Sequence, residues 1–181
     1  MARTQYVVLL RGINVGGKRK VPMADLRAML EDAGYERVRT YIQSGNVILE
    51  SDRPAAGIED HVEATLERAL GFPVVVVVRS EQQFRRVVAK APEGFGSEPD
   101  KHHSDAVFLK APLTSKQAMG VVQLREGVDE AWPGTGVIYF RRLSAERTKS
   151  RMGKIIGTPE YERMTIRSWA TVLKLLALLD E

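Results

Sequence analysis

The chain has 181 residues, 44% of them hydrophobic and 28% charged, and it contains no cysteine. That length can bury the core of one compact domain or two small ones, and the missing cysteine excludes disulfides, thiolate zinc sites and cysteine nucleophiles. The net charge of +4 is unevenly spread, because residues 1–20 hold Arg3, Arg11, Lys18, Arg19 and Lys20 with no acid, and residues 141–154 hold six cations against Glu146 alone.

Tyr6 to Leu10 is an apolar run that predicts a buried strand. It is too short for a signal peptide, and Val74–Val78 and Leu173–Leu179 are far short of a membrane span. A cytoplasmic protein without membrane contact is therefore expected. A glycine-rich stretch follows, and from Pro22 the residues Met23, Leu26, Met29 and Leu30 recur at helical spacing, with Gly34 as a C-terminal stop. Arg37 to Gln43 alternates, placing Val38, Thr40 and Ile42 on one face and Arg39 and Tyr41 on the other. Ser44-Gly45-Asn46 turns the chain into a strand from Val47 to Glu50. Ile58, Val62, Leu66 and Leu70 mark a second helix, stopped by Gly71 and Pro73, and Val74 to Val78 forms a fourth strand.

Strand, helix, strand, strand, helix, strand is the split βαβ order of ferredoxin-like folds, here filling residues 1–79. Residues 80–181 predict a second α+β subdomain. Ser80 and Gln83 have capping-box spacing ahead of a helix through Val88, and residues 92–104 are polar and turn-rich. A strand over 105–110, a helix over 114–124 and a strand pair around Pro133-Gly134 come next. Helical pieces over 149–164 and a C-terminal helix from about Ser168 to Leu179 complete an incomplete second copy of the ferredoxin-like unit. In the split βαβ order the first two strands run parallel with the third antiparallel between them. The end of the first strand and the turn between the second and third therefore share one edge, which brings LLRGIN and QSGN together.

The stretch LLRGINVGGKRK fits G-x-x-x-x-G-K, the outline of a phosphate-binding P-loop. A P-loop needs a Ser or Thr hydroxyl for magnesium after the lysine, and Arg19 stands there instead. Lys20-Val21-Pro22 also separates the loop from its helix. The nucleoside-triphosphatase reading is excluded, and two readings remain: an anion cradle of glycine amides and cations, or a soluble crossover. Gln43, Ser44 and Asn46 on the shared edge would add donors and acceptors. A nucleic-acid platform with Tyr41 and Arg39 lacks an aromatic partner in NVILE, although electrostatic binding through the two basic segments stays open.

The usual catalytic sets are missing. His61 reads as a surface or packing residue, and adjacent His102 and His103 project apart, poor spacing for a metal site. No metal and no cofactor are expected. Trp132 and Trp169 read as packing anchors.

The segments LLRGINVGGKRKVPMADLR, YIQSGNVI and IRSWATVLKLLALL resemble, in order along nearly the whole chain, the bacterial family known as domain of unknown function 1697. The resemblance implies a cytosolic α+β protein of ferredoxin-like elements and brings no assigned activity. The family pattern matches Arg11, Gly12, Asn14, Gly16, Gly17, Lys18 and Pro22, then Gln43, Ser44, Gly45 and Asn46, and finally Arg167 and Thr171. Ser168 stands where the family usually has asparagine. The candidate ligand-binding residues are therefore Arg11, Gly12, Asn14, Gly16, Gly17, Lys18, Gln43, Ser44, Asn46 and Arg167. The leading expectation is a binding module for a phosphorylated or otherwise anionic small molecule or nucleotide. A metal-independent enzyme using the same pocket, with Ser44 or Tyr41 moving a proton, and a self-association module are the alternatives. The oligomeric state is not legible.

Overall fold

The computed structural model describes residues 2–181. The chain is of the α+β class and forms two compact units, Met1–Arg85 with Leu175–Glu181, and Arg86–Lys174. The sequence division at residue 79 differs from this in two places. The helix after it is shared by both units, and the last residues of the chain belong with the first.

The first unit runs β1 (Thr4–Leu10), α1 (Met23–Asp32), β2 (Glu36–Tyr41), β3 (Asn46–Ser51), α2 (Ala55–Leu70) and β4 (Val76–Ser80), with sheet order β2-β3-β1-β4 and every pairing antiparallel. Alternation along β1 sends Tyr6, Val8 and Leu10 into a core with Leu26 and Leu30 of α1 and Ile58, Val62 and Leu66 of α2. Each such side chain, fully buried, contributes about 1.5–3 kcal/mol. Gly71 ends α2 in the left-handed conformation, φ +80°, the C-cap geometry that glycine adopts without strain.

The opposite face of this sheet is closed as well. Val7, Leu9 and Val77 have no exposed surface and Ile48 has 1%, which explains why β1 reads as an unbroken apolar run. Arg39, which the alternation places on the same face as Tyr41, donates to Leu178 O at 2.7 Å and Gln5 Oε1 at 2.9 Å. Such a face offers no open sheet for stacked bases. Ile42 also departs from the expected register: β2 ends at Tyr41, and Ile42 lies outside the strand, 48% exposed.

The α3 helix (Glu81–Ala89) opens with the expected capping box, Gln83 N to Ser80 Oγ at 3.2 Å and Ser80 N to Gln83 Oε1 at 2.9 Å. The second unit then contains β5 (His102–Leu109), α4 (Ser115–Met119), β6 (Asp129–Gly134), β7 (Val137–Leu143), three 3₁₀ turns (Ser144–Lys149, Met152–Ile155, Pro159–Arg163) and β8 (Met164–Ser168), before α5 (Trp169–Leu179). Its sheet order, β6-β7-β5-β8, repeats that of the first unit position for position. The copy is thus complete in its strands and incomplete in its second helix, which the 3₁₀ turns replace.

Three local expectations change here. β8 was not foreseen, because MTIRS mixes apolar and polar residues over only five positions. The helix expected to reach residue 124 stops at Met119. The loop over 92–104 is anchored by Phe95, which is 8% exposed and packs edge-on against Trp132, Tyr139 and Trp169. Gly96 lies so near Trp169 that a Cβ there would sit 2.3 Å from its ring.

Gly45 has φ +85°, and a Cβ on it would meet Leu10 Cβ at 2.8 Å and Ile13 Cδ1 at 2.9 Å. Gly45→Ala should lower unfolding free energy by about 2–4 kcal/mol, the combined cost of left-handed strain and overpacking, measurable as a lower urea midpoint. His61 Nδ1 lies 2.7 Å from Tyr35 Oη, and burial, followed by Arg53 and Arg68, holds its pKa below the ordinary 6.5. As pH falls through 6.5 the unfolded chain takes up a proton that the folded one refuses, so stability should decline there and level off below the folded pKa. His61→Gln should flatten that part of a urea-midpoint profile against pH.

Candidate functional site

The expected shared edge forms. Leu10 N donates to Gly45 O at 2.9 Å, tying the end of β1 to the β2–β3 turn, and Arg11 N donates to Val75 O at 2.9 Å, tying it to the approach to β4. The chain then leaves the sheet and returns through Val15-Gly16-Gly17-Lys18, a tight two-residue hairpin closed by Lys18 N to Val15 O at 3.0 Å and Asn14 N to Arg19 O at 3.0 Å. Gly16 and Gly17 have φ +59° and +73°. Positive φ at both central positions defines a type I′ turn, which favours glycine. These glycines therefore serve the hairpin, and the Lys18 amide bonds back to Val15, whereas a P-loop turns such amides on a phosphate.

Asn14 holds this hairpin in place. Its Nδ2 donates to Val21 O at 2.9 Å and to Gln43 O at 2.8 Å, and its Oδ1 accepts from Val21 N at 2.7 Å. One carboxamide thus closes the base of the hairpin and bonds it to the QSGN turn. Its own φ of +55° is one that asparagine tolerates better than most residues. Asn46 is equally committed: it is fully buried, and its Nδ2 donates to Tyr41 O at 3.0 Å and Ser44 Oγ at 2.9 Å. Both asparagines are architectural.

What the edge shows to solvent is cationic. Lys18, Arg19 and Lys20 are exposed and Arg11 is half-buried, with Gln43 and Ser44 exposed on the turn. No acid occurs in residues 1–24. Arg19 lies over the Phe72 ring at 5.0 Å, which restrains one cation through its attraction to the aromatic face. Arg19 and Ile42 have φ of +51° and +48°, conformations that bulky residues rarely hold, least of all a β-branched one. Ile42 and Val15, 64% exposed, add two aliphatic side chains. Neither was identified in the sequence as belonging to the site, although Gly-Gly between Val15 and Lys18 was a readable hairpin signal.

Arg167 lies in the other unit, on β8. It is 6% exposed, and its Nη1 donates to Thr165 Oγ1 at 2.7 Å and Ile166 O at 2.9 Å. Burial pushes its pKa down to about 10. Ser168 accepts from Thr171 N at 3.3 Å and pairs with Thr171 Oγ1 at 3.0 Å, so this late motif opens α5. Nearby, His103 Nε2 lies 3.1 Å from Asp105 Oδ1, and burial raises the Asp105 carboxyl above its ordinary range despite His103 and Arg142. Among the described residues no three His, Asp or Glu side chains converge as a metal site, and no helix is long and apolar enough to cross a membrane.

Two antiparallel ferredoxin-like sheets, one carrying a pinned basic hairpin at its edge, define an α+β protein of duplicated topology. Residues 3–139 match the family described as "Protein of unknown function (DUF1697)", and the chain belongs to that family. It is similar to the solved structure of the conserved bacterial protein SP0830 from Streptococcus pneumoniae, with 28% identity and a TM-score of 0.84 over 98% of this chain and 99% of that one. No curated protein matches it.

Asn14→Ala should cost about 1–3 kcal/mol through the unsatisfied Val21 groups. It should also speed amide exchange at Val21, whose N–H bonds to Asn14 Oδ1, and at Lys18, whose N–H closes the hairpin, while leaving β1 amides protected, measured by hydrogen-exchange NMR.

Proposed function

We propose that the chain is a binding module for a phosphorylated or otherwise anionic small molecule, received at the edge formed by residues 11–20 and 43–46. The observation that carries this reading is the Asn14 bridge. It joins a hairpin bearing Lys18, Arg19 and Lys20 to the turn bearing Gln43 and Ser44. A flexible loop would lose its cations' alignment to entropy, whereas a pinned hairpin presents them ready to bind. Arg11 adds a guanidinium suited to the two oxygens of a phosphate. Of the four non-glycine residues held at positive φ, Asn14 and Arg19 lie in the first segment and Ile42 immediately precedes the second, while Arg37 lies apart in β2; strain of this kind can collect where ligands are gripped.

The test is a thermal-shift panel of pyrophosphate, nucleoside monophosphates and triphosphates, sugar phosphates and short oligonucleotides at two salt concentrations. Binding should raise the melting temperature, less so at high salt. Lys18→Ala/Lys20→Ala, both exposed, should fold normally and lose the response. A panel without any hit, or a double variant that responds like the wild type, would contradict the reading. A response confined to oligonucleotides, with a steep log-log salt dependence, would point to a nucleic-acid backbone instead.

A further inference from the structure

The duplicated topology extends to the edge itself. β1 ends at Leu10 and is followed by Arg11, and β5 ends at Leu109 and is followed by Lys110, so a cation follows the first strand of each sheet. Leu109 N donates to Gly136 O at 3.0 Å, as Leu10 N does to Gly45 O at 2.9 Å. Lys110 N donates to Arg163 O at 2.8 Å, as Arg11 N does to Val75 O at 2.9 Å. The β6–β7 turn therefore stands to β5 as the QSGN turn stands to β1.

The two edges differ in what occupies them. In the first unit residues 11–22 form the pinned hairpin. In the second, the connection from β5 to α4 is only residues 110–114, with no hairpin and no asparagine bridge. A cleft of about 660 Å³ opens there, bounded on one side by Ala111 to Ser115 and on the other by Pro133 to Gly136. That volume lies within the range of small-molecule pockets, roughly 300–1,000 Å³.

The lining has a definite chemistry. Pro112, Leu113 and Pro133 offer apolar surface for a flat ring, and Ser115 and Thr135 bring hydroxyls from opposite walls. Arg163 is not itself a lining residue, but its Nη1 donates to the carbonyl of Ala111, which is, at 3.1 Å, and this holds its exposed guanidinium beside the cleft. A guanidinium has five N–H donors, and this bond uses one. No carboxylate lines the cleft.

We propose that this cleft is a second ligand site, built on the duplicated edge and separate from the basic hairpin. It would take a small polar ring carrying one phosphate, the ring resting on the prolines and the phosphate meeting Arg163. A sugar phosphate and a nucleoside monophosphate share this chemistry.

The test is a backbone-amide NMR titration of the full chain with ribose 5-phosphate, with adenosine monophosphate and with inorganic phosphate. The proposal expects saturable shifts at Ser115, Gly134, Thr135 and Gly136 with at least one ring-bearing probe, stronger than with inorganic phosphate. Arg163→Gln, an exposed position, should keep a folded spectrum and weaken that binding about tenfold, the worth of one charge-assisted hydrogen bond. In Lys18→Ala/Lys20→Ala the cleft shifts should persist unchanged, whatever becomes of any response at residues 11–20. Absence of shifts at the cleft with every probe, cleft shifts as strong with phosphate alone, or an Arg163→Gln affinity equal to wild type would overturn the proposal. So would loss of the cleft response in the lysine variant.

Discussion

A single side-chain amide organises the hairpin edge of the first unit. Asn14 satisfies both backbone groups of Val21 and the carbonyl of Gln43, and the burial of Ile13 and Val21 on either side of the hairpin depends on that closure. A segment with five positive charges in twenty residues would otherwise favour extended, solvated conformations through self-repulsion and backbone entropy. The bridge converts it into a hairpin of fixed position. Gly45 completes the arrangement, because only a residue without a side chain lets Leu10 and Ile13 close against the turn.

The same fold, used twice, gives two different edges. Both keep the pair of backbone hydrogen bonds that bind the end of the first strand to the β2–β3 or β6–β7 turn and to the chain before the last strand. What varies is the connection after the first strand. A long one folds into a cationic hairpin, and a short one leaves a cleft walled by prolines and hydroxyls. The difference between the two edges is a property of that connection, while the sheet order beneath it is the same in both units.

Much of this was readable in the sequence, for physical reasons that can be named. The apolar periodicity of α1 and α2 and the β-branched run before Ser80 gave the first unit its order, and that order alone placed QSGN beside LLRGIN. The Ser80–Gln83 capping box was equally plain. Other features depended on tertiary context. The bonds of Arg39 to Gln5 and Leu178 were not legible, because alternation marks which side a residue faces and not what covers it. β8 was hidden because five mixed residues carry no period that stands out from neighbouring 3₁₀ turns. Asn14 and Asn46 looked like ligand groups, since an amide spent on the backbone and one offered to a ligand are the same letter. The Gly-Gly pair was read through the P-loop outline when its two-residue spacing already described a type I′ hairpin.

If the edge receives an anion as proposed, the Asn14 bridge, and not the number of cations, is what makes it a receptor. The most direct test is the affinity of pyrophosphate for wild type and for Asn14→Ala, measured by isothermal titration calorimetry at low salt with every cation intact. The wild type should bind, and the variant should bind about tenfold more weakly, roughly 1.4 kcal/mol, since its lysines would no longer be held together with the QSGN turn. Equal affinities in the two proteins would contradict this role of Asn14.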